Sequence, residues 1–304
     1  MTCVAVIPVH DAPSDFLDRL AVVQRQVALV VIVDDGSETP LLVDEHLLPG
    51  VVVIRQHNLG IAAALNTGIT RARALVPAVE TYLTLDQDSL ISPNYVNAAT
   101  SELRIAESSG GRVGAICAEQ FNAWQPSFTV APDGSRHVLA VAQSGMLIPD
   151  HVLQEFGPFR EDLFIDCVDT EFVLRLAREG VPVIAGRGCR MEHEVGETIL
   201  LTVFGRPLKV GGRRRSLPHH SAVRRYFITR NRLLIYPSFA STAPAWLFKD
   251  SLREVRTLVL SLLFGPEKGL QARATLAGLV DGLAGRSGPL SERRSRQLIS
   301  SARG

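Results

Sequence analysis

Three short apolar runs in this chain each stop abruptly at polar residues, and that arrangement limits the fold more than any other feature. Cys3 to Val9 runs into His10, Ala28 to Val33 into Asp34-Asp35-Gly36-Ser37, and Thr81 to Leu85 into Asp86-Gln87-Asp88-Ser89. Each run has the length and the Val/Ile content of a buried strand. Val51 to Ile54 is a further one. Between them lies helical periodicity: Ser14 to Gln26, which Ser14 is placed to cap, and Gly60 to Val76, whose Ile61, Leu65, Ile69, Ala72 and Val76 make one core-facing stripe. Strands alternating with helices build a mainly parallel α/β sheet, whose strand carboxyl ends share the edge where ligands bind. The polar ends at His10, Asp34–Ser37 and Asp86–Asp88 are therefore expected to meet in one crevice.

Strand context carries this inference, because turn chemistry alone does not. Pro132-Asp133-Gly134-Ser135 repeats the Asp-Gly-Ser sequence without a buried strand before it, and is read as a hairpin or loop. At the end of the Thr81 run, side chains two apart on a strand share a face, so Asp86 and Asp88 can aim oxygens at one divalent cation that in turn holds phosphates. The plainer alternative is a solvated strand end entering a turn.

The 46% hydrophobic content is ample for a buried core, and 304 residues allow one large domain or two smaller ones. Charge divides the chain: residues 1–204 hold 13 Lys/Arg against 26 Asp/Glu, residues 205–304 hold 19 against 5. An acidic body at 1–204 followed by a basic, mainly helical region at 205–304 is the expected organisation, and the basic part suits an anionic partner. Cys3, Cys117, Cys167 and Cys189 form no metal spacing, which points to reduced thiols in a cytosolic setting. Met1-Thr-Cys-Val enters a strand pattern with no basic leader, and no apolar run approaches the roughly 18 residues of a membrane span. Within Gly205 to Ser216, Gly211-Gly212 beside Arg213, Arg214 and Arg215 suits a mobile, phosphate-seeking loop. From Pro244 onward, apolar positions with Lys249, Arg253 and Arg256 between them read as a basic amphipathic helix fit for an anionic membrane surface or for self-association. Ser291 to Gly304 is polar and reads as a fraying end.

Taken in order, the motifs resemble the inverting glycosyltransferases of family 2, which have a GT-A fold. Val31-Ile-Val-Asp34-Asp35-Gly-Ser is similar to that family's nucleoside-binding strand end, and His57-Asn58-Leu59-Gly60 through Asn66-Thr-Gly68 to its loop and helix. Leu85-Asp86-Gln87-Asp88-Ser89 resembles its DxD motif in the form typical of bacterial dTDP-L-rhamnose rhamnosyltransferases. Phe164 to Arg175 is similar to the segment that supplies the catalytic base, while Glu192-His193-Glu-Val-Gly196 and Arg225 to Asn231 resemble the same subgroup. The likeness spans nearly the whole chain.

The resemblance implies an enzyme that moves a sugar, L-rhamnose from dTDP-L-rhamnose first among the candidates, to a hydroxyl of a cell-surface glycan or lipid-linked acceptor, with Mg²⁺ or Mn²⁺ as cofactor. UDP-galactofuranose, UDP-glucose and UDP-GlcNAc remain alternative donors, and a non-catalytic nucleotide-sugar-binding module an alternative role. Asp169 is the implied base, ahead of Asp166, from its offset to Glu171 and Arg175. Read as helical, Cys167 to Arg178 would put Asp166 and Asp169 on one face and pair Glu171 with Arg175. The implied metal ligands are Asp88, Asp86 and His193. Donor contacts fall on Pro8, His10, Asp35, Asn58, Asp86, Gln87, Asp88 and Arg230, with Asp34 the alternative to Asp35 on the pyrimidine. His10 departs from the family's Pro-Val-x-Asn pattern. The Arg224–Asn231 helix is expected on the acceptor side, and the implied location is the cytoplasm, with peripheral contact at the inner membrane face and self-association as further possibilities. A nucleotidyltransferase would need a glycine-rich basic loop where Pro8-Val9-His10-Asp11-Ala12-Pro13 stands, a serine hydrolase lacks its elbow at Gln143-Ser144-Gly145, and a nucleic-acid binder leaves the carboxylate-tipped strands unexplained.

Overall fold

The structure is a computed structural model that describes residues 1–41, 48–122, 124–193, 198–203, 206–207, 209–214 and 216–299. The chain divides into two compact units: Met1–Phe164 with Val168–Glu194, and Ile165–Cys167 with Val195–Gly304. Residues 204 and 205, where charge alone places a boundary, lie outside the described residues.

In chain order the first unit contains β1 (Cys3–Val9), α1 (Phe16–Gln24), β2 (Leu29–Asp35), β3 (Val51–Gln56), α2 (Ile61–Leu75), β4 (Thr81–Thr84), β5 (Ser89–Ile91), α3 (Tyr95–Ser108), β6 (Ala115–Phe121), β7 (Phe128–Val130), β8 (Arg136–Val138), β9 (Met146–Pro149), α4 (Asp150–Phe156), α5 (Val168–Arg178) and β10 (Val183–His193). One sheet runs β3-β2-β1-β4-β9-β6-β10-β8-β7, with β5 added against β10. The β3-β2-β1-β4 half is parallel, and β9 enters antiparallel between β4 and β6. The sheet is therefore mixed, a feature that the alternation of strands and helices did not disclose.

Burial explains the first half. Cys3 to Val9 are all buried, since a central parallel strand is covered on both faces. Pro8 fits there because pairing with β4 ends at Val6–Thr84, two residues before the position where its missing N–H would matter. Gly68 on α2 sits so close to β1 and β2 that a Cβ would lie 2.3 Å from Val6 and 3.2 Å from Val33, so the helix seats directly on the strands. Burial pushes the Cys3 and Cys189 thiols up to about 12, and all four cysteines are buried and unbridged.

Some local expectations change. Helix α1 starts at Phe16 with Asp15, not Ser14, at its N-cap, and the Asp15 carboxylate pairs with Arg19 instead of a backbone N–H. Asp133-Gly134 does turn a hairpin between β7 and β8, with Gly134 at φ 80°.

The second unit holds short hairpins and then α6 (Ala222–Ile235), α7 (Pro244–Phe264), α8 (Lys268–Leu283) and α9 (Glu292–Ile299). Gly211 and Gly212, both at positive φ, turn a hairpin between Lys209–Val210 and Arg213–Arg214, where the sequence suggested a mobile loop. Gly205, Arg215 and residues 300–304 lie outside the described residues. Among the described residues no helix is long and apolar enough to cross a membrane.

Candidate active site

The parallel strands deliver their polar ends to one edge, and side-chain amides stitch those ends together. The Gln87 amide clasps the His10 backbone in both directions: His10 N–H donates to Gln87 Oε1 (2.8 Å) and Gln87 Nε2 donates to the His10 carbonyl (3.1 Å). His10 Nδ1 lies 3.0 Å from the Asp35 carbonyl oxygen, so it carries its proton there, and the ring is half exposed. One hydrogen-bonded chain thus links the ends of β2, β1 and the Asp86–Asp88 turn.

Asp34 and Asp35 occupy different environments. Asp34 is buried and accepts from Ser37 N–H (2.9 Å) and Leu41 N–H (3.2 Å), closing its own turn. Burial pushes its carboxyl up, but those hydrogen bonds and Arg55 outweigh it and hold the group below the usual carboxylate value. Asp35 accepts from Gln56 Nε2 (2.8 Å), Leu59 N–H (2.9 Å) and Gly60 N–H (2.9 Å). It thereby fixes the Gln56–Gly60 loop, including exposed Asn58, against Gly36, where a Cβ would lie 2.7 Å from the Asn58 nitrogen. The loop leads into α2, whose Ile61 N–H donates to the Phe164 carbonyl (3.0 Å). A Cβ on Gly60 would meet that same carbonyl oxygen at 2.3 Å. Asp35 is therefore tied, through Gly60 and Ile61, to the segment that begins α5 and carries Asp169.

The Asp86–Asp88 segment is a turn, not a strand end. Strand β4 stops at Thr84, and Ser89 N–H donates to the Asp86 carbonyl (3.1 Å), so the backbone that carries the two carboxylates is set by that turn instead of by strand alternation. Support comes from Gln143-Ser144-Gly145, distant in sequence. Thr84 Oγ1 donates to the Gln143 carbonyl (2.6 Å), Gly145 N–H donates to the Thr84 carbonyl (2.7 Å), and Asp86 N–H donates to Ser144 Oγ (2.9 Å). Ser144 Oγ also bonds Ser89 Oγ (2.7 Å), and Gln143 Nε2 donates to the Asp86 carboxylate. From the α1 side, Arg19 Nη1 donates to the Asp88 carbonyl. Sequence reasoning missed Arg19, Gln143 and Ser144. Only the buried polar character of the latter two signals them, and that is invisible in a single sequence.

Gly145 is the keystone of this support. It sits at φ 82°, and a Cβ there would fall 2.6 Å from Met191 Sδ and 2.8 Å from Tyr95 Oη, whose hydroxyl donates to the Gly145 carbonyl. Gly145→Ala is therefore expected to destabilise the fold by about 2–4 kcal/mol, combining left-handed backbone cost with overpacking. Urea unfolding checks this; a change under about 0.5 kcal/mol, the usual surface range, would remove Gly145 from the argument.

Asp169 is the second residue of α5, half-buried, and its Oδ1 accepts from Thr170 N–H (2.7 Å) and Thr170 Oγ1 (3.3 Å). Asp166 does not share a helix face with it, because Asp166 and Cys167 have φ of 61° and 63° and lie outside the helix. Within the second unit, Arg224 forks onto the Asp166 carboxylate at 2.6 and 3.3 Å. The Glu171–Arg175 pair forms at 3.2 Å with Glu171 buried and Arg175 half-buried, and Arg175 also donates to the Phe156 and Pro158 carbonyls. Burial, not a neighbouring carboxylate, raises the Glu171 carboxyl, against the pull of Arg175.

Of the two other expected site residues, Arg230 is buried and His193 is described by its backbone alone. Arg230 is 1% exposed, donates to the Gly288 carbonyl, and stacks over the rings of Tyr226 (5.4 Å) and Phe227 (4.7 Å). Its guanidinium therefore packs inside the second unit. Asn231 donates to the Ile165 (2.8 Å) and Asp166 (2.9 Å) carbonyls. His193 ends β10 with its backbone paired to Ser89, one residue after Asp88; its side chain, with residues 194–197, lies outside the described residues. Beside this strand pair a groove of about 360 Å³ is lined by polar Ser92, Gln120, Asn122, Arg190 and Glu192 together with apolar Leu90, Ile91, Pro93 and Met191.

Among the described residues no three His, Cys, Asp or Glu side chains gather as a metal cluster. The donor chemistry nevertheless suits a hard cation: Mg²⁺ is commonly held by one or two carboxylates together with substrate phosphates, and Asp86 and Asp88 are carboxylates on one supported turn.

Residues 4–146 match the family model described as glycosyl transferase family 2. Over 249 residues the chain is 26% identical to a dTDP-rhamnosyl transferase, RfbF, of Shigella flexneri, covering 76% of this chain and 78% of that one. Among solved structures, TarS 1-349 of S. aureus in complex with UDP-GlcNAc aligns at 13% identity over 99% of this chain and 79% of that one, with a TM-score of 0.46. A second TarS 1-349 structure aligns at 13% identity over 93% and 71%, with a TM-score of 0.43. Residues 4–146, just under half of the chain, thus resemble the glycosyl transferase family 2 model on a mixed α/β sheet, and three quarters of the chain resemble a dTDP-rhamnosyl transferase.

Proposed function

We propose that the chain is an inverting, metal-dependent rhamnosyltransferase that takes L-rhamnose from dTDP-L-rhamnose. What carries the reading is the bonded edge in which Asp35, His10, Gln87 and the Asp86–Asp88 turn are linked, together with the match to a dTDP-rhamnosyl transferase.

In this reading Asp35, with His10 and Asn58 at the rim, receives the pyrimidine nucleoside, and buried Pro8 backs the site from within β1. Asp88 and Asp86 would hold Mg²⁺ or Mn²⁺, which supplies charge neutralisation on the departing diphosphate. His193 stands as a further ligand. The acceptor hydroxyl attacks the anomeric carbon on the face opposite the leaving phosphate, so a new carbon–oxygen bond forms as the sugar–phosphate bond breaks and configuration inverts. Its proton passes to Asp169, and the electron pair leaves on the nucleoside diphosphate. No protein nucleophile takes part. The acceptor is a sugar hydroxyl of a cell-surface or lipid-linked glycan, and the amides and charges of the groove past Asp88 suit such hydroxyls.

The test is a panel of sugar nucleotides, read by melting temperature and by release of nucleotide, with Mg²⁺, Mn²⁺ or chelator. At about 100 times its Kd, a donor adds about 2.7 kcal/mol of stability by mass action. dTDP-L-rhamnose is expected to give the largest shift, and the chelator to remove it. A larger shift from a UDP-sugar would overturn the donor assignment, and an unchanged shift in chelator the metal dependence.

A further inference from the structure

The second unit turns an ordered set of apolar side chains outward. On α7, Phe248, Leu252, Val255, Val259 and Leu263 are exposed, and steps of four, three, four and four keep them on one face at 3.6 residues per turn. Leu247, Asp250 and Ser261 are buried on the other side. Helix α8 repeats the pattern with exposed Leu276, Leu279, Val280 and Leu283. Its opposite face is fixed by close packing on α6: a Cβ on Gly278 would lie 2.6 Å from the Tyr226 carbonyl oxygen, and one on Gly282 3.0 Å from that of Arg230. Leu270, Ala274, Gly278 and Gly282 face inward, and Leu276, Leu279, Val280 and Leu283 lie on the outward side.

Charge identifies the occupant. Every charged side chain exposed on these two helices is basic: Lys249, Arg253 and Arg256 on α7, Lys268 and Arg273 on α8. The acids are withdrawn. Asp250 is buried with Arg232 (3.0 Å), Glu254 pairs with Arg225 and Arg232, and Asp281 is buried with Tyr226 (2.9 Å) and Arg286 (2.9 Å). At 100° per residue, Lys249, Arg253 and Arg256 follow one flank of the α7 stripe. A second copy of the same face would set cations against cations. An anionic lipid surface satisfies both the apolar stripe and its basic flank, and α7, about 31 Å long at 1.5 Å per residue, is too charged to cross a bilayer but suited to lie in its interface.

We propose that α7 and α8 dock the protein on anionic phospholipid, with Phe248, Leu252, Val255, Val259 and Leu263 entering the acyl boundary and Lys249 and Arg256 at the headgroups. The test reads lipid partition, not sugar transfer, so its outcome is separate from that of the function proposed above. The full chain is floated with phosphatidylcholine vesicles made with and without phosphatidylglycerol. Flotation is expected only with phosphatidylglycerol and should weaken as salt rises. Lys249→Glu with Arg256→Glu should lower partition at least about tenfold, and Phe248→Ser with Leu252→Ser should abolish it, both with unchanged helical circular dichroism. Equal flotation on both vesicle types, or none, overturns the proposal. So does a dimer in sedimentation velocity that Phe248→Ser with Leu252→Ser dissolves.

Discussion

Asp169→Asn is expected to leave donor affinity within about twofold and to lower turnover by about 10²–10⁴, the range for removing a general base. Asparagine preserves the shape and still accepts from Thr170, so the first turn of α5 should survive. The paired control is Asp166→Asn. Asp166 is committed to Arg224, and its backbone, with that of Cys167 and Phe164, lies at positive φ. Such residues cost of order 1–3 kcal/mol each and persist only where surroundings hold them. Asn231 does that by donating to the Ile165 and Asp166 carbonyls. Asp166→Asn should therefore cost stability and less than about tenfold in kcat, while Asp169→Asn costs kcat and little stability. If single-turnover rates fall equally in both, or fall only for Asp166→Asn, the base has been assigned to the wrong carboxylate.

Much of the first unit was legible because buried strands and amphipathic helices write their periods into the sequence. Cys3 to Val9 and the Gly60 to Val76 stripe correspond to β1 and α2 within a residue or two. What escaped was contact between segments far apart. Gln143 and Ser144 hold the Asp86–Asp88 turn across more than fifty residues, yet a polar tripeptide has no period and reads as a loop. The antiparallel entry of β9 was hidden for the same reason, since strand direction depends on connections and not on composition. The burial of Arg230 was equally hidden: arginine usually signals a surface, and here two adjacent rings and a carbonyl make burial tolerable. Asp166 misled through backbone conformation, because helical spacing counts residues and does not reveal that the chain turns left-handed before α5 begins.

Asp88→Ala carries the opposite signature to Asp169→Asn. It is expected to remove the chelator-sensitive part of the donor's melting shift and to cut kcat/KM by about a thousandfold or more, since a cation at the leaving diphosphate contributes several kcal/mol of charge stabilisation. The turn should persist, because its supports are backbone contacts that alanine keeps: Arg19 on the Asp88 carbonyl, Ser144 on the Asp86 N–H, and Ser89 N–H on the Asp86 carbonyl. Loss of donor response with an unchanged melting temperature of the unliganded protein would separate binding from folding. Asp86→Asn offers a graded comparison. Its carboxylate already accepts from Gln143, so the amide should retain part of the geometry and lose less affinity than Asp88→Ala. An Asp88→Ala protein whose donor shift stays as large, and as sensitive to chelator, as the wild type would place the metal elsewhere and leave this turn a structural element only.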